Sequence, residues 1–255
     1  MKQPQTYVIT GASSDIGRAL ATYLDDDSRI RLVLVSRSHR MPSVSRRHLR
    51  LSGIDLTKDR SLSTLYDAVD GSTSGGFTVV HCAGDFWIHR PLVQMKLRDI
   101  ISMINSHYVS LAATTWKLLP LLLARREGGR IIAFSCNSVT YNYPDMAPFT
   151  SAKAAVECFV KCIANEYSEY GIVANTLALP TIRTEKVERL KPSGDRANYL
   201  TPKHLARLIA RTINTAPSSL NGNTLKVFNH SPSFFHQSYF DRNPREQAII
   251  VRDRS

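Results

Sequence analysis

The stretch TYVITGASSDIG, residues 6–17, runs from a β-branched and aliphatic segment through a glycine-containing turn into an amphipathic helix. Gly11 permits a tight turn, and Gly17 lets the helix lie close to the preceding strand. The N-terminus of such a helix presents N–H groups that can bind a pyrophosphate. We therefore predict a strand–turn–helix unit that binds a dinucleotide; an ordinary strand–helix turn without a ligand is the alternative.

Outward from this unit, short aliphatic segments alternate with longer segments that have helical spacing. Such alternation predicts right-handed crossovers, a parallel sheet and helices on both of its faces. We predict an α/β fold, a single doubly wound Rossmann-type domain with a seven-stranded parallel sheet over residues 1–230, and a C-terminal tail of unknown role over residues 231–255. The predicted strands are Thr6–Thr10, Arg31–Val35, Leu49–Leu51, Thr78–His81, Arg130–Ser135, Ile172–Leu177 and Thr224–Phe228. The predicted helices cover residues 15–26, 59–69, 94–126, 146–169, 181–192 and 202–215.

The composition is that of an ordinary globular protein, with 43% hydrophobic and 21% charged residues in a chain of 255. A chain of this length buries roughly 70% of its surface, so its core needs no disulfide and no metal. The longest strongly apolar stretch, Leu118–Ala124, is far shorter than the ~20 residues that a membrane span requires. Four unevenly spaced cysteines are expected to be free thiols in a reducing compartment. We expect a soluble, cytoplasmic protein without a membrane partner.

The net charge of +12 is unevenly distributed. Residues 37–50, RSHRMPSVSRRHLR, contain five arginines, two histidines and no acid. The segment has no interleaved aromatic platform and belongs to no recognisable nucleic-acid module, so we expect no nucleic-acid partner. A solvated basic loop and a pocket for a phosphorylated ligand remain as the two interpretations.

Several short motifs together resemble the short-chain dehydrogenase/reductase family over about residues 5–230. They are TGASSDIG at 10–17, Asp55-Leu56-Thr57, Cys82-Ala83-Gly84, Asn105 and Lys153. The family's glycine loop is TGxxxGxG, and Asp15 stands where its middle glycine is usual. Aspartate adopts left-handed conformations more readily than most residues and can cap a helix, so the change weakens the motif without breaking it.

The resemblance implies a dinucleotide site at one edge of the sheet. The residues that it assigns to cofactor binding are Gly11, Ser13, Asp15, Ile16, Gly17, Ser36, Arg37, Asp55, Leu56, Cys82, Ala83, Gly84, Lys153, Ile182 and Thr184. Strand two ends in Ser36 and Arg37 rather than in an acid that would bind the ribose 2′-hydroxyl. A guanidinium beside a small hydroxyl suits a 2′-phosphate, so we predict NADP(H) as the cofactor.

In the family an asparagine, a serine, a tyrosine and a lysine carry the catalysis. The matching positions here are Asn105, Cys136, Phe149 and Lys153, so two of the four differ from the family pattern. Phe149 and Lys153 are one helical turn apart and share a face. Phenylalanine has no O–H, and losing a positioned general acid costs about 10²–10⁴ in rate. Cys136 is a weak hydrogen-bond donor compared with serine.

Three explanations remain open. In the first, the chain is an NADP(H)-dependent oxidoreductase that acts on a carbonyl or alcohol substrate and takes its proton from another group. The candidate donors are Tyr141, Tyr143, Ser138, His107 and Cys136. Alternatively, the chain binds NADP(H) without turnover as a scaffold or sensor, or it is a reductase deliberately inactivated at Phe149. A lyase or epimerase that retains the cofactor is a further alternative.

The expected substrate is a small molecule or a carrier-bound acyl group, covered by a flap at residues 185–199. Basic residues at 125, 126 and 130 resemble half of the patch by which the family's 3-oxoacyl-carrier-protein reductases bind an acidic carrier protein. The helix at 146–170 pairs across a dimer axis in the family, which implies a homodimer or homotetramer. On that helix Cys158 and Cys162 lack further ligands for zinc and are expected to be buried.

Overall fold

The fold is a parallel sheet between two layers of helices. The computed structural model describes residues 5–84, 88–125, 127–190, 199–215, 220–228 and 248–250. The strands are β1 Gln5–Thr10, β2 Ile30–Val35, β3 Leu49–Leu51, β4 Phe77–His81, β5 Gly129–Cys136, β6 Ile172–Leu179, β7 Thr224–Phe228 and β8 Ala248–Ile250. The helices are α1 Asp15–Asp25, α2 Asp59–Asp70, α3 Leu97–Ile104, α4 Ser110–Ala124, α5 Ser138–Tyr141, α6 Ala147–Tyr167, α7 Glu185–Leu190 and α8 Pro202–Thr215. Short 3₁₀ turns cover Leu92–Gln94 and Ser168–Tyr170.

The sheet order is β3-β2-β1-β4-β5-β6-β7-β8, with every described pair parallel. Strands β1–β7 confirm the seven predicted strands and the doubly wound fold. An eighth short strand, β8, comes from the segment that we predicted as a tail, and it pairs with β7 at the edge of the sheet. Residues 231–247 and 251–255 of that tail lie outside the described residues.

Strand β1 shows why the chain forms two helical layers. Tyr7 and Ile9 are fully buried on one face, in a cluster with α1 and α8. Val8 is fully buried on the other face, in a cluster with α2, α4 and α6. Since successive strand residues point to opposite faces, a continuous apolar strand must be covered on both sides.

The predicted continuous helix over residues 94–126 is wrong in its middle. A π-helical turn, Asn105–Val109, separates α3 from α4, and the Ser110 N–H donates to the Asn105 carbonyl five residues earlier. Such a turn inserts one extra residue and changes which side chains face inward. The predicted helix over residues 181–192 is shorter than expected, because Ile182 forms an isolated bridge with Leu200 and α7 begins at Glu185.

The prediction that Cys158 and Cys162 are buried is also wrong. Both thiols are exposed on the outer face of α6, whereas Val156 and Val160 of the same helix pack against the sheet. All four cysteines are free thiols. Among the residues described, no helix combines the length and the apolar character needed to cross a membrane.

Candidate active site at the carboxyl edge of the sheet

The turn after β1 packs closely against the end of β4. Gly11 has a φ of +63°, and a Cβ placed on it would lie 2.6 Å from both the Cys82 carbonyl oxygen and the Ala83 nitrogen. A Cβ on Gly17 would lie 2.4 Å from the Gly11 carbonyl oxygen. Only glycine fits at these two positions without backbone movement, so the sequence prediction of a tight turn and a close helix is confirmed.

Helix α1 begins directly in this turn. Ser14 is its N-cap, and the Ser14 hydroxyl accepts the Gly17 N–H at 3.0 Å. The sequence also allows Asp15 to cap α1, but in the structure Ser14 occupies the N-cap position. The Asp15 carboxylate pairs with Arg18 and accepts the Glu185 N–H at 2.9 Å, which ties the glycine turn to the start of α7.

The segment before α7 brings Ile182 and Thr184 to the same edge. Ile182 is buried, and the Thr184 hydroxyl accepts the Val187 N–H at 3.2 Å, so Thr184 caps α7. Ile16, in the first turn of α1, is partly buried and packs against the core. Residues 191–198, the main part of the predicted flap, lie outside the described residues.

The end of β2 offers hydroxyls and one exposed guanidinium. The Ser13 and Ser36 hydroxyls are 2.6 Å apart, and the Ser36 oxygen also accepts the Ser38 N–H at 3.0 Å. Ser36 is buried, whereas Arg37 is exposed next to it. Cationic and hydroxyl groups thus lie together where the sequence predicts a 2′-phosphate site.

Asp55 lies near this cluster, at the turn that follows β3, and its neighbour Leu56 is buried. The Asp55 carboxylate accepts the N–H of Thr57 at 3.0 Å and the Thr57 hydroxyl at 2.7 Å. Partial burial opposes ionisation, but the two hydrogen bonds, with Arg37 and Lys58 nearby, lower the pKa of Asp55 below its usual value. The carboxylate is therefore ionised at neutral pH.

The end of β4 is held by His81. Its imidazole is buried, with Nδ1 2.9 Å from the Thr10 hydroxyl and Nε2 3.1 Å from the Ser110 hydroxyl. Burial, with a contribution from the Lys153 charge, lowers the pKa of His81 to about 3, so the ring is neutral. Burial also raises the pKa of the Cys82 thiol, which stays protonated. His81 links β1, β4 and α4 and is already engaged on both nitrogens.

Helix α6 brings Phe149 and Lys153 into the same buried pocket. The Lys153 Nζ donates to the Phe134 carbonyl at 2.8 Å and lies 5.8 Å from the centroid of the Phe149 ring. Burial lowers the pKa of Lys153 from 10.5 to about 8, and the nearby Cys136 opposes that shift. Cys136 packs against the same pocket with Phe149 and Met146, and its Sγ accepts the Ser138 N–H at 3.5 Å.

The π-helical turn contains two residues that the sequence names as candidates, Asn105 and the possible proton donor His107. Asn105 is exposed, whereas His107 is only 4% exposed. The His107 ring meets the Phe149 ring edge to face, with their centroids 5.1 Å apart. The structure thus brings Cys136, Phe149, Lys153 and His107 together, whereas the Asn105 side chain is exposed.

Other candidate donors from the sequence lie at the margin of this pocket. Ser138 is fully buried, and its hydroxyl oxygen accepts the Thr150 hydroxyl at 3.2 Å. Tyr141 and Tyr143 stack with ring centroids 5.6 Å apart, and Tyr143 is 49% exposed. Burial raises the pKa of Tyr143, so its phenol is a weaker acid than usual.

The geometry fits a dinucleotide. The two glycines let the turn pack against the end of β4 and let α1 begin close to β1, and in folds of this type a pyrophosphate binds at such a helix N-terminus. The adjacent hydroxyl and guanidinium cluster lies on one side, and the buried Lys153 ammonium on the other. The sheet edge can therefore hold an adenine ribose at β2 and a nicotinamide ribose beside α6.

Comparisons with known proteins agree with this geometry. The family model for short chain dehydrogenases matches residues 5–194. A very-long-chain 3-oxoacyl-CoA reductase of Macaca fascicularis is 24% identical over 229 residues, covering 86% of this chain and 72% of that protein. A 3-oxoacyl-(acyl-carrier-protein) reductase of Buchnera aphidicola is 24% identical over 210 residues, covering 79% and 82%.

Solved structures share the fold. The structure of ElxO with NADP bound has a TM-score of 0.76 at 20% identity, covering 88% of this chain and 97% of that one. A 3-ketoacyl-(acyl-carrier-protein) reductase from Brucella melitensis, complexed with NADH, has a TM-score of 0.77 at 18% identity, covering 88% and 96%. One of these structures contains NADP and the other contains NADH, so the comparison does not distinguish between NAD and NADP as the cofactor of this chain.

Proposed function

The chain belongs to the short-chain dehydrogenase family, and we propose that it is an NADP(H)-dependent oxidoreductase that acts on a carbonyl or alcohol substrate. One observation carries the proposal: a buried lysine with a pKa of about 8 lies at the same sheet edge as the two close-packed glycines. Burying an ammonium costs free energy unless it is paired, and ionisable groups with shifted pKa values in clefts are candidates for functional sites.

The chain's own residues would bind and orient the reactants. Gly11 and Gly17 allow α1 to begin close to β1, so that the α1 N-terminus would bind the pyrophosphate, and Lys153 would hold the nicotinamide ribose. NADP(H), when bound, supplies or accepts the hydride. Phe149 packs where the family has its proton-donating tyrosine and can provide shape but no proton. The reaction therefore needs another proton donor within reach of the substrate oxygen.

The NADP preference rests on Arg37 and gives a first prediction. Replacing Arg37 with alanine removes a charge-assisted hydrogen bond to the 2′-phosphate, a contact of about 1.5–3 kcal/mol. We expect the Kd for NADPH to rise about 10–100-fold and the Kd for NADH to change less than about threefold. Fluorescence titration of the reduced nicotinamide measures both constants.

Arg31 provides the matched control, because it is an exposed arginine near the start of β2, whereas Arg37 follows the end of that strand. The Arg31→Ala variant should bind both dinucleotides like the wild type, apart from a small loss of long-range attraction. If Arg37→Ala left the ratio of the two Kd values unchanged, the assignment of the 2′-phosphate to Arg37 would be wrong.

A second candidate function follows from Phe149. Because the ring has no O–H, the chain could bind NADP(H) without turnover and act as a scaffold or sensor, or retain the cofactor in a lyase or epimerase reaction. Phe149→Tyr separates these functions from the oxidoreductase. We expect native turnover of a carbonyl panel, with the kcat of the variant within about tenfold of it, since another donor is in place.

An inactive wild type together with a gain of about 10²–10⁴-fold over background in Phe149→Tyr would instead favour the non-catalytic function. NADPH affinity is the control in this comparison. It should be the same in both proteins, because the substitution adds one hydroxyl and leaves Lys153 and the glycine turn unchanged. Failure of the wild type to bind either NADPH or NADH would remove all of these functions.

We propose an acyl-type carbonyl compound as the substrate class, supported by the reductases of 3-oxoacyl thioesters among the relatives. An acidic carrier protein is a weaker proposal, because Arg125 already pairs with Asp70 at 2.6 Å and residue 126 lies outside the described chain. We also propose self-association, supported by Trp116 and Leu123, which are 64% and 38% exposed on α4. A cytoplasmic setting would keep the four thiols reduced.

A further inference from the structure

Asp15 is the residue of the glycine turn that differs from the family pattern, and its carboxylate makes two contacts. One oxygen, Oδ1, pairs with Arg18, three residues later on α1. The other, Oδ2, accepts the Glu185 N–H at 2.9 Å. The Asp15 side chain is only 19% exposed. Both carboxylate oxygens are therefore engaged, and one of them joins α1 to the first residue of α7.

The start of α7 needs hydrogen-bond acceptors from outside the helix, because the first N–H groups of a helix have no partner within it. The Thr184 hydroxyl accepts the Val187 N–H at 3.2 Å, and the Thr184 carbonyl accepts the Glu188 N–H at 2.9 Å. The Glu185 N–H receives its acceptor from Asp15 on α1. A carboxylate is favourable at this end of a helix, so Asp15 holds the first turn of α7 against the glycine turn.

The bond joins two segments that the proposed cofactor would contact. The glycine turn would bind the pyrophosphate, and the family resemblance assigns Ile182 and Thr184 to cofactor binding as well. Ile182 is anchored separately, through its bridge with Leu200. The bond from Asp15 therefore acts at the Thr184 end of the segment, where α7 begins.

The sheet order indicates which half of a dinucleotide this segment would meet. Strand β6, which precedes the segment, lies next to β5, and β5 contains the Phe134 carbonyl that accepts from Lys153. Arg37 follows β2, which lies on the far side of β1 and β4. The segment is therefore on the side of the sheet edge where Lys153 would hold the nicotinamide ribose, and it is remote from the proposed 2′-phosphate site.

We propose that Asp15 is a positioning residue that holds the Thr184 end of this segment in place to bind the nicotinamide half of NADP(H). The proposal rests on the NADP(H) binding of the function proposed above. A segment that is already held in its binding conformation loses less entropy when a ligand binds, so the bond strengthens binding. The carboxylate charge itself repels the pyrophosphate, and Arg18 offsets that repulsion.

Asp15→Ala removes the acceptor of the Glu185 N–H. We expect the Kd values for NADPH and NADH to rise by a similar factor of about 5–30, because the bond lies away from the 2′-phosphate site. Adenosine 2′,5′-bisphosphate has the adenine and the 2′-phosphate but no nicotinamide, so its Kd should stay within about threefold of wild type. Fluorescence titration measures the two dinucleotides, and titration calorimetry measures the bisphosphate.

Asp15→Asn is the conservative variant, because its amide oxygen can still accept the Glu185 N–H. It also removes a negative charge beside the pyrophosphate, so NADPH should bind as tightly as to the wild type or up to about threefold more tightly. Asp15→Gly introduces the residue usual in the family and replaces Asp15→Ala if the alanine variant does not fold; the same loss is expected. Asp59→Ala is the matched control, since Asp59 is also the first residue of a helix, α2, and is exposed.

Two further readouts separate positioning from catalysis. The carbonyl probes are acetoacetyl-CoA, ethyl acetoacetate and phenanthrenequinone, with NADPH oxidation as the rate measurement. In Asp15→Ala the KM for NADPH should rise with the Kd, whereas kcat at saturating NADPH should stay within about threefold of wild type. Without cofactor, hydrogen–deuterium exchange at the Glu185 amide should be faster in Asp15→Ala than in the wild type and in Asp15→Asn.

The outcomes are distinguishable. Three results would each overturn the role of Asp15 and leave the oxidoreductase function in place: NADPH binding to Asp15→Ala that is as tight as in the wild type or tighter, Asp15→Asn binding as weakly as Asp15→Ala, or an equal loss of affinity for the bisphosphate. Failure of the wild type to bind NADPH and NADH overturns the proposed function and this proposal with it. Binding without turnover overturns the oxidoreductase activity, and the Kd values of the variants still decide the role of Asp15.

Discussion

Replacing Lys153 with methionine is expected to abolish turnover almost completely while leaving the fold intact. Methionine matches the length of the lysine stem and suits the apolar surroundings, but it removes the charge that would hold the nicotinamide ribose. Loss of orientation and of electrostatic support should lower kcat by about 10²–10⁴-fold. NADPH oxidation with an active carbonyl probe measures this effect.

The stability of the same variant has a predictable sign. The pKa of Lys153 is lowered from 10.5 to about 8, so the unfolded chain holds a proton that the folded chain has lost between these pH values. The wild type should therefore gain stability as pH rises from about 8 to about 10.5, by roughly 3 kcal/mol. The variant lacks this gain, and denaturant unfolding at pH 7 and pH 10 compares the two proteins.

Lys161 supplies the control, because it is exposed on the same helix, two turns beyond Lys153. Lys161→Met should leave both turnover and the pH dependence of stability unchanged. A Lys153→Met variant with normal kcat would show that the buried ammonium takes no part in the reaction. The buried lysine would then no longer support the proposed function, although the turnover itself still would.

The fold follows from sequence patterns that are local and repeated. The apolar residues of β1 alternate between two cores, and the glycines of the following turn fit only a close strand–helix contact. Strands β2, β4, β5 and β6 repeat the first part of this pattern. Residues 248–250 have no such signal, because a three-residue edge strand is specified by its contact with β7 rather than by its own composition.

The positions of the site residues are harder to predict where a single inserted residue, or a contact between distant parts of the sequence, determines them. Asn105 matches the family pattern, but it begins the π-helical turn and its side chain is exposed. A signal for His107 was present in the spacing, since buried Met103, His107, Leu111 and Leu118 follow one helical stripe. No local sequence pattern predicts the hydrogen bond from the Glu185 N–H to the Asp15 carboxylate, because the two residues are 170 positions apart in the chain.

Gly17→Ala is expected to destabilise the protein and to abolish dinucleotide binding. In an exposed helix interior the same change stabilises by roughly 0.5–1 kcal/mol, because glycine loses more backbone entropy on folding. Here the added Cβ would lie 2.4 Å from the Gly11 carbonyl oxygen and 2.9 Å from the Ala12 Cα. Both are backbone atoms, so α1 or the glycine turn must move.

Such overpacking costs about 1–3 kcal/mol. In a domain of this size that cost corresponds to a fall in Tm of roughly 2–12 °C. The same movement displaces the N–H groups at the start of α1 from the pyrophosphate, so we expect the Kd for NADPH to rise at least about 100-fold. Thermal unfolding without ligand and fluorescence titration measure the two effects separately.

Gly71→Ala is the matched control, since Gly71 caps α2 with a φ of −73° and a Cβ there meets only ordinary contact, 3.4 Å from the Asp67 carbonyl oxygen. That variant should be as stable as the wild type or slightly more so, and it should bind NADPH normally. A Gly17→Ala protein with an unchanged Tm and an unchanged Kd would mean that α1 can withdraw from β1 at no cost. The close approach of helix and strand would then not be what admits the cofactor.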